Sequence, residues 1–511
     1  MGNEIEKKAD QPEQAVDRDV VMIAEGAGIN LAGKFFGRAM HWVSQLILAR
    51  WLGPAMFGLY AISWNLLRTL GIVVPLGLDF GVIRFGVKHP EEHPEEQSNV
   101  IGLSLGISFL VGLGAGLLLR ALAPTIAQIF DKPGLVPVLR LMALALPLMS
   151  GLRVAAAATR LTKNMKFSIL SEEVGQPLAN LLGIAIVYYA GWSLMGVVGV
   201  VVVSFGIGLL FSIGYVRQLF FRNGGKFQFP VKTIKPLLAF SFQTAFASMF
   251  LAMIVLNDRI AVGYFLPEAD VGIYQTVSIS AVAFVMVLSS FNTIVQPMIT
   301  EHYRDKDIDR LENVYQVSTR WGMYIGIPIL VALIVASQDF ISVFFGFDYL
   351  DGQYPLIVLC LGNMIYLGVG AVEHLLVMTG HQKDWFQIVW VMLAANVLLN
   401  IILTPAYGLI GASTATLMTF TGLAGLSLWR IKKILNICPY KKKNWKLILS
   451  AAVSLGSAFW VSAHFSLPAL RLAGVSLSAL LSFVMMILLL KMDKDDYDMV
   501  SLLVRGWKGV K

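Results

Sequence analysis

The sequence has little charge and almost no cysteine. Only 14% of its 511 residues are Asp, Glu, Lys or Arg, whereas a soluble protein carries about 25%. The two cysteines, Cys360 and Cys438, provide neither a disulfide framework nor a metal site. No Walker-type phosphate loop, metal-ligand spacing or nucleophile elbow occurs. The low charge excludes a soluble globular protein. The missing motifs predict that the chain uses no cofactor or metal and does not bind ATP through a known motif.

Long polar segments are also missing, because apolar runs follow one another with short connections. Hydrophobic residues make up 57% of the chain. With runs of about twenty apolar residues taken as membrane spans, the sequence predicts fourteen transmembrane helices and an all-α, polytopic membrane protein. The predicted spans are 26–49, 57–78, 100–122, 137–159, 170–191, 194–216, 237–265, 271–299, 318–338, 354–379, 385–404, 409–429, 447–464 and 468–490.

The basic residues predict the orientation of these spans. The formal net charge is +8, and Lys and Arg concentrate in the connections that follow even-numbered spans. The alternate connections hold little that is basic beyond Arg50 and Lys132. Because basic connections lie in the cytoplasm, we expect a multi-pass protein of the cell (inner) membrane with both termini cytoplasmic. Basic clusters between apolar runs do not indicate nucleic-acid binding.

A short internal repeat predicts two lobes. WLGPAMFGLYAIS joins spans 1 and 2, YFLPEADVGIYQTV joins spans 7 and 8, and each places a proline turn before Gly-x-Tyr. Because spans 1 and 7 run in the same direction, this is a parallel repeat of six spans plus six. The predicted organisation is a cytoplasmic tail (1–19), an N-terminal lobe with spans 1–6 (20–216), a cytoplasmic linker (217–236), a C-terminal lobe with spans 7–12 (237–434), and spans 13 and 14 with a cytoplasmic C-terminus (435–511).

The first span carries charge where a membrane helix normally carries none. Lys34, Arg38, His41 and Gln45 are spaced four, three and four residues apart, so in a helix they form one stripe. An arginine near the bilayer centre costs roughly 2.5–3.5 kcal/mol on insertion scales, and such residues face a bundle interior or a wet cavity. The stripe therefore predicts a substrate pathway. The alternative for Lys34 is that its ammonium group extends to the near interface.

Beside this stripe, Gly33 and Gly37 form a pair of small residues one helical turn apart. Such pairs allow a neighbouring helix to approach closely within the membrane. The sequence therefore predicts a tight helix contact next to the charged stripe.

Three segments carry a resemblance to known transporters: LARWLGPAMFGLYA, LGLDFGVIRF and NDRIAVGYFLPEADVGIY. Together with the layout of spans, they resemble the polysaccharide and oligosaccharide-lipid flippase family, in the superfamily that also contains multidrug and toxic-compound extrusion transporters and lipid II flippases. The resemblance implies two six-helix bundles around a central cavity, followed by two extra helices. It also implies transport of undecaprenyl-pyrophosphate-linked oligosaccharide from the cytoplasmic to the outer leaflet, with membrane lipids, a polysaccharide polymerase and glycosyltransferases as partners.

The resemblance also implies a set of site residues. Positive residues in the N-terminal lobe of such proteins are thought to hold the anionic pyrophosphate, and Lys34, Arg38, Arg68 and Arg153 occupy comparable places here. Arginine suits this task because it combines a permanent charge with a planar donor fork. With His41 of the stripe, these residues form the predicted substrate-binding set. The alternatives are a buried ion pair for Arg68 and extension to the cytoplasmic interface for Arg153.

Span 5 carries a second polar stripe, formed by Glu173, Gln176 and Asn180. Spacings of three and four residues put these side chains on one face of a helix. They either pair with the arginines or contact sugar hydroxyls, and the sequence does not choose between these two roles.

Fewer ionisable residues lie within the spans of the C-terminal lobe. Asp258, Glu373 and His374 are candidates for binding a coupling cation, either a proton or a sodium ion, because an embedded carboxylate can link transport to an ion gradient. The alternative for Asp258 is an ion pair with the adjacent Arg259. The alternative for Glu373 and His374 is a position at the membrane interface.

These features together predict a flippase, not an enzyme, that works by alternating access of two lobes and serves cell-surface polysaccharide biosynthesis. One alternative is a cation-coupled multidrug exporter of the same fold, which needs a less basic cavity and a carboxylate deep in a lobe. The other is a membrane glycosyltransferase or polysaccharide polymerase, which needs a sizeable outer loop with catalytic residues. The longest predicted outer loop, 339–353, has only about fifteen residues, which disfavours an enzyme.

Overall fold

The computed structural model describes residues 2–86, 94–162, 165–221, 231–491 and 496, and every regular element in these ranges is helical. Helices dominate because the membrane core offers no water, so each backbone N–H and C=O must be paired within its own segment. The α-helices are α1 (Gly2–Val73), α2 (Leu78–Gly86), α3 (Pro94–Ile129), α4 (Leu135–Met142), α5 (Ala145–Thr159), α6 (Lys166–Ser168), α7 (Gln176–Tyr189), α8 (Leu194–Phe220), α9 (Val231–Phe265), α10 (Glu268–Arg304), α11 (Ile308–Val335), α12 (Ser337–Phe344), α13 (Gln353–Gly368), α14 (Val372–Met378), α15 (Gln382–Leu435), α16 (Trp445–Ser462) and α17 (Pro468–Leu489). A π-helix, Ile169–Gly175, joins α6 to α7, and 3₁₀ turns cover Arg160–Thr162, Phe347–Gly352 and Lys442–Asn444.

Ten helices in the described part of the chain are long and apolar enough to cross a membrane. The predicted all-α polytopic fold is therefore confirmed, whereas the total of fourteen spans stays a prediction. Two of these helices, Ala32–Gly86 and Gln382–Leu435, have 55 and 54 residues, and each contains a backbone break. The breaks are at Gly53 (φ +70°) and Gly408 (φ +59°), in the left-handed region that glycine adopts without steric cost. Both glycines lie at predicted boundaries between consecutive spans.

The chain divides into two compact units that are not continuous in sequence. The first unit contains Met1–Leu48 and Leu59–Ala252, and the second contains Ala49–Gly58 and Met253–Lys511.

These units differ from the predicted lobes in two segments, 49–58 and 237–252. The predicted tail, residues 1–19, lies in the first part of α1 apart from Met1. Residues 222–230 of the predicted linker and nearly all residues after Lys491 lie outside the described residues. The predicted domain bounds therefore stay a prediction.

Two hydrogen bonds hold segment 49–58 to the rest of the second unit. The backbone of the segment accepts one of them, and one of its side chains donates the other. The hydroxyl of Tyr349 donates to the carbonyl oxygen of Ala49 at 2.6 Å. The guanidinium of Arg50 donates to the carbonyl oxygen of Val343. Arg50 was one of the few basic residues outside the predicted cytoplasmic connections, and its charge is used here to hold this turn.

The two copies of the predicted repeat contact each other reciprocally within the second unit. A Cβ on Gly58 would lie 1.8 Å from the carbonyl oxygen of Glu268, and a Cβ on Gly272 would lie 2.1 Å from that of Pro54. Pro54 precedes Gly58 by four residues, and Glu268 precedes Gly272 by four. Equivalent positions thus exchange the same contact, as in an isologous interface, which supports the internal repeat.

The core of the first unit lies where α2, α3, α5 and α9 meet. Leu78, Leu103, Val154 and Leu237 come from these four helices and are buried together. Because α2 directly follows α1, this core holds the C-terminal half of α1 beside α5, where the candidate site lies.

In the second unit, amides and hydroxyls connect α9 to both halves of α15. Asn257 donates to the side-chain oxygen of Asn396 at 2.9 Å, and Asn396 donates to the hydroxyl of Thr419 at 2.9 Å. Asn400 donates to the carbonyl oxygen of Asn396 at 2.9 Å. Such bonds link helices in a membrane, where lipid is as apolar as the side chains and the hydrophobic effect does not drive association.

We expect Gly58→Ala and Gly272→Ala each to destabilise the protein by about 1–3 kcal/mol, because a new methyl group would overlap a backbone carbonyl that cannot rotate away. The matched control is Gly106→Ala in α3, because no atom lies within 4 Å of a Cβ built there. In that open helical position alanine should be neutral or stabilising by up to about 1 kcal/mol. The measurement is the thermal midpoint of each purified variant by fluorescence-detected gel filtration, and equal midpoints for all three would refute the close contact.

Candidate functional site

A cavity of about 320 Å³ lies within the first unit, among α1, α5, α7, α8 and the π-helix. It brings together three of the predicted substrate-binding residues, Arg38, His41 and Arg68. The side chains of Arg38 and Arg68 are exposed to the space around them. Two guanidinium groups and an imidazole therefore line one cavity, of the size that small-molecule sites occupy.

Helical spacing and one chain reversal produce this arrangement. Arg38 and His41 are three residues apart, as the stripe predicted, and Arg68 follows Trp64 by four residues. The rings of His41 and Trp64 stack with their centroids 5.6 Å apart, so the chain folds back on itself at Gly53. Arg38 and Arg68 consequently lie on the same side of the stacked pair.

The predicted glycine pair is in tight contact with the π-helix. A Cβ on Gly37 would lie 2.0 Å from the carbonyl oxygen of Glu173, and a Cβ on Gly33 would lie 2.2 Å from Cγ2 of Ile169. The predicted close helix contact beside the stripe is therefore confirmed. It brings the backbone of the π-helix against α1 and sets the width of the cavity.

Acidic and amide groups form another side of the cavity. Glu172 and Glu173 in the π-helix, and Gln176 and Asn180 in α7, all line it. A π-helix shifts the register of the side chains by one residue relative to an α-helix, and it is frequent at functional sites. Glu172 pairs with Arg160 at 3.0 Å, so its charge is balanced outside the cavity lining.

Four aromatic residues, His41, Tyr60, Trp64 and Phe205, also line the cavity, and we call them the aromatic wall. Trp64 is central to it. Its ring lies 5.6 Å from His41 at an interplanar angle of 29°, 6.3 Å from Tyr60 at 6°, and 6.3 Å from Phe205 at 21°. All three contacts are stacked, with the offset that aromatic pairs prefer.

The other two predicted substrate-binding residues do not line this cavity. Arg153 donates to the carbonyl oxygen of Gly71 at 2.9 Å and pairs with Asp79 at 3.1 Å. This ion pair links α5 to α2 and accounts for the charge of Arg153 without a ligand. Lys34 is exposed, one turn before Arg38 along α1.

In the second unit, Asp258 is buried with 5% of its surface exposed. Its carboxylate accepts a hydrogen bond from the hydroxyl of Tyr274 at 2.9 Å, from the hydroxyl of Thr416 at 3.4 Å, and from the backbone N–H of Arg259 at 2.8 Å. The described residues include no ion pair between the side chains of Asp258 and Arg259, although Arg259 is also buried. Two hydroxyl groups and one backbone N–H therefore contact this carboxylate directly.

Glu373 and His374 lie elsewhere, at the start of α14, and both are half-buried. No contact joins either side chain to Asp258 among the residues that the structure describes. Within the same ranges, no group of three His, Cys, Asp or Glu side chains could hold a metal ion. The three predicted coupling residues therefore do not form one cluster.

Of the aromatic wall, only His41 was among the predicted site residues, whereas Tyr60, Trp64 and Phe205 were not. Tyr60, Trp64 and Arg68 follow one another at intervals of four residues, which puts them on one face of a helix. That periodicity was available in the sequence, but Phe205 comes from α8, more than a hundred residues away, and no local pattern indicates it.

The sequence resembles those of proteins that synthesise and export polysaccharides. The family model described as "Polysaccharide biosynthesis protein" matches residues 47–352. The chain is 23% identical over 331 residues to the succinoglycan biosynthesis transport protein ExoT of Rhizobium meliloti, over 63% of each chain, and so spans less than two thirds of that relative. It is 23% identical over 433 residues to the probable flippase AglR of Haloferax volcanii, over 81% of this chain and 83% of the relative.

Two solved structures share the fold. The lipid II flippase MurJ, in an inward closed conformation, superposes with a TM-score of 0.74 at 16% identity, over 90% of this chain and 98% of that one. An inward-facing multidrug resistance transporter of the MATE family superposes with a TM-score of 0.66 at 12% identity, over 78% and 94%. At these identities the likeness shows a polytopic helical transporter fold and nothing more specific.

We expect Arg153→Met to lower stability, because it leaves the carboxylate of Asp79, whose side chain is only 14% exposed, without a partner. The cost of such an unpaired group is about 1–3 kcal/mol. Adding Asp79→Asn should restore part of that loss, and a double-mutant cycle on thermal midpoints measures the coupling. An Arg153→Met protein with a native thermal midpoint but no transport would instead indicate that Arg153 binds the substrate.

Proposed function

This chain belongs to the polysaccharide biosynthesis protein family, and from that premise we propose that it is a flippase. Its proposed substrate is undecaprenyl-pyrophosphate-linked oligosaccharide, moved from the cytoplasmic to the outer leaflet by alternating access of two lobes. The proposed process is the biosynthesis of a cell-surface polysaccharide. Glycosyltransferases would act before transport, and a polysaccharide polymerase would act after it.

The observation that carries the proposal is that Arg38 and Arg68 line one cavity in the first unit. A pyrophosphate that crosses a low-dielectric layer without paired charge is very unfavourable. Guanidinium groups supply permanent charge and two parallel N–H donors that match phosphate oxygens. Both arginines are exposed to their surroundings and not enclosed by side chains, so a ligand can reach them.

The comparisons support the same proposal. One relative is named a transport protein for succinoglycan biosynthesis, another a probable flippase, and the fold is that of a lipid II flippase. The distribution of basic residues supports the orientation in which both termini are cytoplasmic. The proposed location is the cell (inner) membrane.

A multidrug exporter of the same fold is the alternative, since a MATE transporter also superposes. Exporters of cationic drugs need acidic groups to pair with the substrate. Here Glu172 is already neutralised by Arg160, and two arginines face Glu173 in the cavity. This balance of charge favours an anionic substrate.

We expect the double variant Arg38→Ala, Arg68→Ala to abolish transport of undecaprenyl-pyrophosphate-linked oligosaccharide into the outer leaflet of proteoliposomes. Each hydrogen-bonded charge contributes about 1.5–3 kcal/mol, so each single alanine variant should lose transport about tenfold or more. Lysine at either position should retain part of the activity, because it keeps the charge but loses the fork.

The control is Arg310→Ala, because the side chain of Arg310 is 76% exposed and pairs with nearby Asp307, a contact of little energetic value. Transport is expressed per folded molecule, from the monodisperse fraction in gel filtration. Native transport per molecule by the double alanine variant would contradict the proposal. If the native protein exported a cationic dye and transported no lipid, the result would favour the multidrug exporter.

We further propose that transport is coupled to a cation, either a proton or a sodium ion, at Asp258. The support is a buried carboxylate whose neighbours are the hydroxyls of Tyr274 and Thr416. Oxygen ligands of this kind suit a small hard cation, and a carboxylate within a membrane segment marks an ion or proton pathway.

We expect Asp258→Asn to remove the dependence of transport on an imposed gradient, because the amide neither binds a proton at neutral pH nor carries charge for sodium. Transport is measured in proteoliposomes with a pH gradient, a sodium gradient or neither. Asp309→Asn, at an exposed position, is the control and should respond as the native protein does. An Asp258→Asn protein that is still accelerated by the same gradient would eliminate Asp258 as the coupling site.

A further inference from the structure

We propose that the aromatic wall is a sugar-binding subsite, in which Trp64 stacks against the first sugar ring of the substrate while Arg38 and Arg68 hold the diphosphate. This inference rests on the proposed function and deepens it, because it names which part of the lipid-linked oligosaccharide is recognised and by which side chain.

The first argument is the distance between the two groups of residues. Arg68 follows Trp64 by four residues, and Arg38 precedes His41 by three. Since a helix rises about 1.5 Å per residue, the arginines lie about 4.5–6 Å along the helix axes from the aromatic residues. They lie on the same side of those rings, because the chain reverses between the two helices. A sugar joined to a phosphate through one bridging oxygen needs an offset of this size.

The second argument is chemical complementarity. One face of a pyranose ring consists largely of C–H bonds, and it packs well on the electron-rich face of an aromatic ring. The hydroxyl groups around that ring need hydrogen-bond partners. Glu173, Gln176 and Asn180 line the same cavity, and carboxylate and amide groups supply both acceptors and donors. Gln176 also donates to the hydroxyl of Ser204 at 3.1 Å, which leaves its side-chain oxygen as an acceptor for a sugar hydroxyl.

The third argument concerns the indole N–H of Trp64. Trp64 is half-buried and lines the cavity, and its Nε1–H makes no hydrogen bond within the described residues. Tryptophan N–H groups usually have a partner when they are buried. Tyr60 and Phe205, by contrast, have only 1% and 7% of their surface exposed and form the support behind Trp64. Of these three rings, Trp64 is therefore the one that offers both a face and a donor to a ligand.

The competing explanation is that the four rings only pack the helices together. Packing alone predicts that loss of Trp64 affects every ligand of the cavity equally. A sugar subsite predicts that the loss is confined to ligands that carry a sugar. The two explanations therefore differ in one measurable quantity, the ratio of affinities for a glycosylated and a bare lipid diphosphate.

The experiment measures binding of four probes to the full-length protein in lipid nanodiscs. The probes are undecaprenyl diphosphate and the same lipid carrying a single glucose, galactose or N-acetylglucosamine. We expect at least one glycosylated lipid to bind about two- to tenfold more tightly than the bare diphosphate, which is the range that one aromatic contact provides. This comparison uses the native protein and does not depend on the folding of any variant.

Trp64→Leu should reduce affinity for the preferred glycosylated lipid to that for undecaprenyl diphosphate, while binding of undecaprenyl diphosphate itself stays native. Trp64→Phe keeps a stacking ring but removes the N–H donor, and it should give an intermediate ratio. The matched control is Trp192→Leu, because Trp192 is 63% exposed and lies in the turn before α8; it should leave both affinities unchanged.

Failure of this inference and failure of the proposed function give different results. Equal affinity of the native protein for all four probes would refute the sugar subsite and leave the flippase proposal intact. An equal loss of affinity for bare and glycosylated lipid in Trp64→Leu would also refute it, in favour of packing. Binding of none of the four lipids by the native protein would refute the proposed function, and the subsite with it.

Discussion

The placement of permanent positive charge inside an apolar layer constrains most of this structure. A guanidinium group cannot lose its proton within a protein, so every arginine in a span must face a partner, a cavity or the interface. Arg153 faces Asp79, Arg160 faces Glu172, and Arg50 faces a backbone carbonyl. Arg38 and Arg68 both line one cavity. The site is defined by this convergence of two permanent positive charges on a single volume.

Local periodicity predicted the part of the site that lies on one helix. The stripe that contains Arg38 and His41, and the glycine pair that contains Gly37, depend only on spacings of three and four residues, and the structure has both. The membrane class followed from composition, because no soluble core could bury so many apolar residues. The repeat was also recognisable, since its two copies keep the same turn and the same glycine.

Pairings between distant helices could not be derived from the sequence. Nothing in the spacing of Arg153 indicates Asp79, because the two residues lie on different helices and meet only after the core of the first unit has formed. The same limit applies to Phe205 in the aromatic wall, and to segment 49–58, which packs with residues 268–272 and 343–349 in the second unit. In each case the contact joins residues that are far apart in the sequence. Their residue types are common in membrane helices, so neither partner indicates the other.

The presence of Glu173 beside two arginines has a consequence for how a transporter releases its substrate. A site built only of arginines would bind a diphosphate tightly and hold it, whereas transport requires binding that is favourable enough for entry and weak enough for exit. Because Glu172 is already paired with Arg160, Glu173 is the acidic group of the cavity that would compete with the proposed diphosphate for the charge of Arg38 and Arg68. The affinity of the cavity for such an anion would then be the difference between attraction by the two arginines and repulsion by Glu173. A small change in the distance between the π-helix and α1, which touch at Gly33 and Gly37, would alter that difference and so connect helix movement to substrate release in the proposed transport cycle.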